Sequence, residues 1–129
     1  FGGLWYTTYD YRIQMRDQMV EMYKQLPNPI PPIEDDYGVH QRWLVFYIDG
    51  VKVLNKPQPE NVINEYKKAL EKEGWATERE YEHVRNDKNK IYGINMRKGE
   101  FILSVSAREN RDSINIHLIK RDWIYNKGF

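Results

Sequence analysis

The sequence contains no cysteine, and this absence removes several kinds of chemistry. A disulfide framework, a thiolate nucleophile and a cysteine-ligated zinc or iron–sulfur site are all excluded. Long hydrophobic runs are missing too, because the longest, Trp43 to Ile48, has the length of a buried strand and not the roughly 20 residues of a membrane span. Charge of either sign is not in excess, with 20 Lys and Arg against 19 Asp and Glu. The composition therefore gives no reason to expect a nucleic-acid partner.

Recognisable catalytic motifs are also missing. The three histidines, His40, His83 and His117, lie on separate segments without the spacing of a helical zinc motif. No serine stands in a glycine-flanked nucleophile elbow, and no glycine-rich loop is present to hold a phosphate. We therefore expect no metal, no cofactor and no catalytic residue.

The segment from Pro57 to Trp75 carries the signals of one complete amphipathic helix. Pro59 and Glu60 suit a first helical turn, where a proline loses no hydrogen bond and a carboxylate meets the positive end of the helix dipole. Apolar residues then recur at helical spacing, and Gly74 can adopt the left-handed conformation that ends a helix. We expect Trp75 to fold back onto the last apolar turn.

Short alternating segments surround this helix and predict strands. We expect Asp49-Gly50 to form a hairpin turn that returns the chain through Val51 to Leu54. The predicted strands are Trp43 to Ile48, Thr77 to Arg85, Ile91 to Lys98, Phe101 to Ala107 and Ser113 to Arg121, and the second of these reads as an edge strand. The predicted fold class is α+β, with the amphipathic helix packed on a four- to five-stranded, mostly antiparallel sheet.

The amino-terminal part of the chain differs from the rest. A second helix is predicted from Thr8 to Gln25, with a methionine-rich stripe suited to core packing or self-association. A proline-rich, extended connector follows from Leu26 to Asp36, and its last three residues, Glu34 to Asp36, read as a solvated turn. The predicted organisation is a helix and connector over residues 1–36, serving as a membrane-proximal stalk in one interpretation, and a single α+β domain over 37–129.

The first residues are rich in aromatic and small side chains. Trp5 and Tyr6 resemble the aromatic residues that lie at the headgroup level where a membrane helix ends. One hypothesis is therefore a membrane anchor upstream of Phe1. The alternative is an ordinary apolar start that docks on the core.

The predicted edge strand carries two different rows of side chains. One face presents glutamates 78, 80 and 82, which read as a charged edge that prevents strand addition. The other face presents the candidate binding residues, because arginine and aromatic side chains are enriched at interface hot spots: Arg79, Tyr81, His83 and Arg85. The alternative is that this second row lies under a neighbouring loop with its charged ends in water.

One longer pattern has a familiar form. A strand is followed by the helix P-E-N-V-I-N-E-Y-K-K-A-L-E-K-E-G-W and then by a run of hairpins, over Trp43 to Lys120. This pattern resembles small extracytoplasmic domains of bacterial lipoproteins and membrane-anchored proteins of unknown function, through Tyr66, Leu70, Gly74 and Trp75. The resemblance implies the fold and an extracytoplasmic location, and it carries over no catalytic residue.

Three hypotheses of function follow. The first is a non-enzymatic binding or scaffold domain, anchored outside a bacterial membrane, that contacts another protein through its open sheet face. The second is a soluble, cytoplasmic immunity or inhibitor protein that blocks a toxin or enzyme through Glu34 to Asp36 or through the glutamate row. The third is a small hydrolase whose site assembles from His83, His117 and a carboxylate.

Overall fold

The computed structural model describes residues 2–42, 45–84 and 88–120, with side chains described in 13–41, 46–84 and 88–120. These ranges contain two helices and six strands, in the order α1 (Gly2–Lys24), β1 (Glu34–Arg42), β2 (Val45–Val53), α2 (Pro59–Lys72), β3 (Ala76–Val84), β4 (Lys90–Lys98), β5 (Phe101–Arg108) and β6 (Ser113–Lys120). The strands form one antiparallel sheet in the order β1-β2-β6-β5-β4-β3. The predicted α+β class is confirmed, and the predicted number of strands is too low.

Helix α2 forms where its local signals predict it. Pro59 opens the helix, and Gly74 has a φ of +94° just beyond its end. The amide of Trp75 donates to the carbonyl of Leu70 at 3.0 Å, which turns the chain back over the last helical turn. Trp75 is only 4% exposed, so the predicted packing of this residue on the helix is confirmed.

The additional strand comes from the segment that was predicted to end a connector. Glu34 to Asp36 form the start of β1 and pair with Val51 to Val53, so the predicted solvated turn is wrong. A charged segment of this kind has little strand propensity of its own. Its conformation is set by a long-range partner, since the Ile33 amide donates to the Val53 carbonyl at 2.7 Å and leads the chain into the sheet.

The predicted hairpin at Asp49-Gly50 is also wrong. Strand β2 runs straight through both residues, and Gly50 lies between Tyr37 of β1 and Ile116 of β6. A Cβ atom at Gly50 would come within 2.8 Å of Tyr23 Cζ. The glycine therefore provides room for a tyrosine of α1 rather than a turn.

Both helices lie on the same face of the sheet. Helix α1 contacts β2 and β6, whereas α2 contacts β3, β4 and β5. The core between helices and sheet includes Met15 and Met19 of α1 and Tyr66 of α2, so the methionine stripe packs on the core. No described element covers the opposite face, which we call the open face.

One lysine is buried on the helix-covered side. Lys52 is 3% exposed, and its ammonium group lies 3.4 Å from the Asp35 carboxylate and bonds to the side-chain oxygen of Asn28. The hydroxyls of Tyr23 and Tyr66 are buried nearby without a hydrogen-bond partner among the described residues. Burial, with a contribution from the charge of Asp35, raises the pKa of both phenols above their ordinary value of 10.0.

Candidate functional site

A row of polar side chains crosses the open face over five neighbouring strands. The antiparallel register places these residues directly opposite one another, in the order Asp49, His117, Ser104, Asn95 and Arg79. Because opposed residues in an antiparallel sheet point to the same side, the row is continuous. Two bonds order it: His117 Nδ1 lies 2.6 Å from Asp49 Oδ1, and the Ser104 hydroxyl donates to Asn95 Oδ1 at 2.8 Å.

One end of this row opens into a cleft of about 670 Å³, which we call the arginine cleft. Three arginines line it: Arg79 from β3, Arg108 at the end of β5 and Arg111 from the turn that follows. Tyr81 and His83 complete the β3 side, and short neutral polar side chains form much of the remainder. The described lining contains no carboxylate, so this part of the cleft carries a net positive charge.

Tyr81 lies across the floor of the arginine cleft. A Cβ atom at Gly93 would come within 2.6 Å of Tyr81 Cε2, so the ring occupies the space that a side chain would fill. The Arg79 guanidinium lies 5.6 Å from the centroid of the same ring, within range of a cation–π contact. The ring centroids of Tyr81 and His83 are 5.3 Å apart. These contacts hold an arginine and two rings together before any ligand arrives.

The structure brings together three of the four predicted binding residues. Arg79, Tyr81 and His83 share the open face and line the same cleft, as the alternation along β3 indicates. Arg85 lies outside the described residues. Sequence reasoning missed Arg108, although it follows the inward-facing Ala107 in β5 and so falls on the open side. It also missed Arg111, for which a turn offers no periodic signal.

The glutamate row lies on the predicted edge strand and is neutralised by the protein's own cations. Glu80 lies 3.0 Å from Lys67 of α2, and Glu82 lies 3.1 Å from Lys90 of β4. These hydrogen-bonded carboxylates raise the pKa of both lysines. Glu78 sits at a β-bulge where the register with β4 shifts, and its carboxylate lies 3.7 Å from the Arg97 guanidinium.

A second cluster surrounds Asp49 on the same face. His40 Nε2 lies 3.9 Å from Asp49 Oδ2, on the side away from His117. The Tyr47 ring stands between the two imidazoles, 5.1 Å from His40 and 5.5 Å from His117 between centroids. Within the described part of the chain, no three such side chains are arranged to hold a metal ion.

The pairing of histidines differs from the one in the hydrolase hypothesis. His83 is on β3 and His117 is on β6, three strands away, which amounts to about 14 Å of strand spacing alone. His40 is the histidine that approaches the same carboxylate as His117. No sequence signal joins these residues, because their proximity depends on β2 pairing with both β1 and β6.

No protein-family model, curated protein or solved structure matches this chain. The resemblance to extracytoplasmic bacterial domains therefore stays a prediction from the sequence pattern. In the part of the chain that the structure describes, no helix is both long enough and apolar enough to cross a membrane. The function must be inferred from the open face itself.

Proposed function

We propose that this chain is a non-enzymatic binding or scaffold domain that contacts another protein through its open sheet face. The observation that carries this proposal is that one face of the sheet is covered by helices and the other is not. Helices α1 and α2 both lie on one face, and the other presents a cleft with three arginines and a tyrosine. Arginine and tyrosine, together with tryptophan, are the side chains enriched at the residues that contribute most to binding in protein interfaces.

The geometry around His117 supports a non-enzymatic role. An Asp–His pair becomes catalytic when the second imidazole nitrogen activates a nucleophile next to preorganised oxyanion donors. Ser104 is the cross-strand neighbour of His117, but its hydroxyl donates to Asn95. Ser104 also lies within β5, which pairs with a strand on each side. Its surrounding amides are engaged in the ladder and do not form an oxyanion hole.

We further propose that the domain is held outside a bacterial membrane by a segment upstream of Phe1. The support is the sequence pattern, in which Trp5 and Tyr6 stand where aromatic residues accompany the end of a membrane helix. The test is fractionation of the full-length protein from its native cell. An anchored protein stays in the membrane pellet through high salt and alkaline carbonate, whereas release by salt contradicts an anchor.

Site-specific photo-crosslinking in the native cell tests the binding face. A photoreactive phenylalanine analogue replaces Tyr81 in the arginine cleft, and the matched control replaces the exposed Lys72 of α2. We expect a discrete crosslinked protein from position 81 and none from position 72. Crosslinks from position 72 alone would contradict the proposal.

The same experiment examines the inhibitor hypothesis. An immunity protein that uses its acidic residues would crosslink to its target from position 34 or 36, at the exposed start of β1. The paired state of Glu80 and Glu82 makes the glutamate row a weaker contact for a basic target, because their charges are already compensated. A crosslink from position 36 and not from 81 would favour the inhibitor over the scaffold.

A further inference from the structure

We infer that the arginine cleft binds an acidic segment of the partner protein in an extended conformation, with carboxylates at alternate residues. This inference rests on the proposed function and specifies the chemistry of the partner. It starts from charge. None of Arg79, Arg108 and Arg111 forms an ion pair with a described carboxylate.

Three other basic residues of the sheet lie beside carboxylates. Lys90 lies 3.1 Å from Glu82, Arg97 lies 3.7 Å from Glu78, and Lys120 lies 3.7 Å from Glu100. The chain has nearly equal numbers of acids and bases, with a formal net charge of +1. Three arginines without a described carboxylate partner therefore meet in one cleft by arrangement and not by composition. Guanidinium groups bind carboxylates in bidentate geometry, which makes an acidic ligand the natural complement.

The dimensions of the cleft suit an extended peptide. The polar part of its lining reaches from β3 to Asn115 of β6, which is about 14 Å at the spacing of neighbouring strands. An extended chain rises about 3.3 Å per residue, so about four residues cross the cleft and every second side chain points at the floor. Two carboxylates on that side would face the arginines of β3 and β5. The side chains between them would point to solvent.

A nucleic-acid strand fits the cleft less well. Binding of single strands combines a continuous basic track with several aromatic platforms for successive bases. Tyr81 is the only phenol or indole among the described lining residues, and Arg79 already contacts its ring. The floor is otherwise made of short side chains such as Ser106 and Asn115, which hydrogen-bond a peptide backbone or a carboxylate.

The test is an NMR titration of the ¹⁵N-labelled chain with acetylated (Glu-Gly)₄, which places a carboxylate at every second residue. The matched neutral probe is (Gln-Gly)₄, and the nucleic-acid probe is the oligonucleotide (dT)₈. We expect (Glu-Gly)₄ to shift the amides around Tyr81, Ser106 and Arg108 at millimolar or lower concentration. The double variant R79Q/R108Q should weaken this binding about tenfold, at about two- to fivefold for each lost arginine. The control R16Q, at an exposed position of α1 outside the arginine cleft, should leave it unchanged.

Several results would overturn the inference. These are equal binding of (Glu-Gly)₄ and (Gln-Gly)₄, no shift with (Glu-Gly)₄ at 10-fold excess over about 1 mM protein, or retained affinity in R79Q/R108Q. Tighter binding of (dT)₈ through the same arginines would assign the cleft to nucleic acid. A crosslinked protein at position 81 together with a negative titration would leave the proposed function standing and remove only the acidic segment. Peptide binding without any crosslinked protein would remove the scaffold role and keep an anion-binding cleft.

Discussion

Replacing Gly93 with alanine should displace the Tyr81 ring from the arginine cleft while changing the stability of the fold very little. Gly93 lies in β4 directly opposite Tyr81 of β3, and its φ lies outside the left-handed region. The backbone therefore accepts an alanine without strain. The added methyl group would come within 2.6 Å of Tyr81 Cε2, compared with at least 3.4 Å for an ordinary contact. The ring must therefore move by at least about 0.8 Å, away from the sheet.

The two energetic consequences of this change nearly cancel. Alanine in a strand is favoured over glycine by roughly 0.5–1 kcal/mol, because the unfolded chain loses less conformational freedom on folding. The displaced ring loses contact over one face, about 50 Å² of apolar surface, which costs about 1.2 kcal/mol at 25 cal/mol per Å². We therefore expect the free energy of unfolding of Gly93→Ala to lie within about 1 kcal/mol of the parent value. The binding of (Glu-Gly)₄ should weaken, because the displaced ring no longer supports the Arg79 guanidinium. Tyr81→Ala, which removes the same support, should weaken it equally.

Gly99→Ala provides the matched control. Gly99 lies in the turn between β4 and β5 with a φ of +60°, and a Cβ there meets no atom within 4 Å. Alanine in this left-handed conformation costs about 1–2 kcal/mol, but it leaves the cleft untouched. In urea denaturation, Gly99→Ala should therefore lose more stability than Gly93→Ala. In the peptide titration, only Gly93→Ala should bind more weakly. A loss of more than about 3 kcal/mol in Gly93→Ala would show that the Tyr81 ring cannot move aside as we expect. Unchanged peptide binding would show that the position of this ring over Gly93 does not matter to the cleft.

Three further predictions concern the covered side of the sheet. Asp35→Ala should lower the free energy of unfolding, measured with urea, by about 3 kcal/mol, because it leaves the buried ammonium of Lys52 without a carboxylate. Lys52→Met should change this free energy by no more than about 1 kcal/mol. Equal losses in the two variants would contradict this prediction. Gly50→Ala should cost at least about 2 kcal/mol, because the buried Tyr23 ring has no open side toward which to move, and a neutral effect would contradict the packing. The folded pKa values of Tyr23 and Tyr66 lie above the unfolded value of 10.0, so the folded state holds these protons more tightly. The contribution of these phenols to the free energy of unfolding should be fully present below pH 10 and should fall above it by up to about 1.4 kcal/mol per pH unit for each phenol. The double variant Tyr23→Phe with Tyr66→Phe should flatten that slope. An unchanged slope would assign the pH dependence to other groups.

Much of the fold was predictable because local and tertiary preferences agree in most elements. In α2, the local signals at Pro59 and Gly74 and the apolar spacing between them favour the same helix. The apolar face of this helix is also the one buried in the core. Strand β1 was not predictable, since Glu34 to Asp36 favour solvent and become a strand only by pairing with β2. At Gly50 the local and the tertiary preferences also disagree. Asp49-Gly50 favours a turn locally, but the Tyr23 ring of α1 occupies the space beside Gly50 within a continuous strand.

The candidate site was predictable only along one strand. Alternation along β3 was enough to place Arg79, Tyr81 and His83 on a common face. Residues that meet across strands require the sheet order, which periodicity does not contain. The contact between Asp49 and His117 spans 68 positions and depends on β2 entering the sheet beside β6 rather than closing a hairpin on itself.

The choice of residues on the open face is difficult to explain by folding alone. A face that only had to remain hydrated would be served by any mixture of charges, and neighbouring acids and bases would stabilise it slightly. Three arginines that have no carboxylate partner among the described residues repel one another instead, at a cost that the chain avoids at Lys90 and Arg97 by pairing them with glutamates. Such a cost is recovered when a ligand brings the missing negative charge. The charge of the arginine cleft is therefore what the proposed contact with an acidic segment requires.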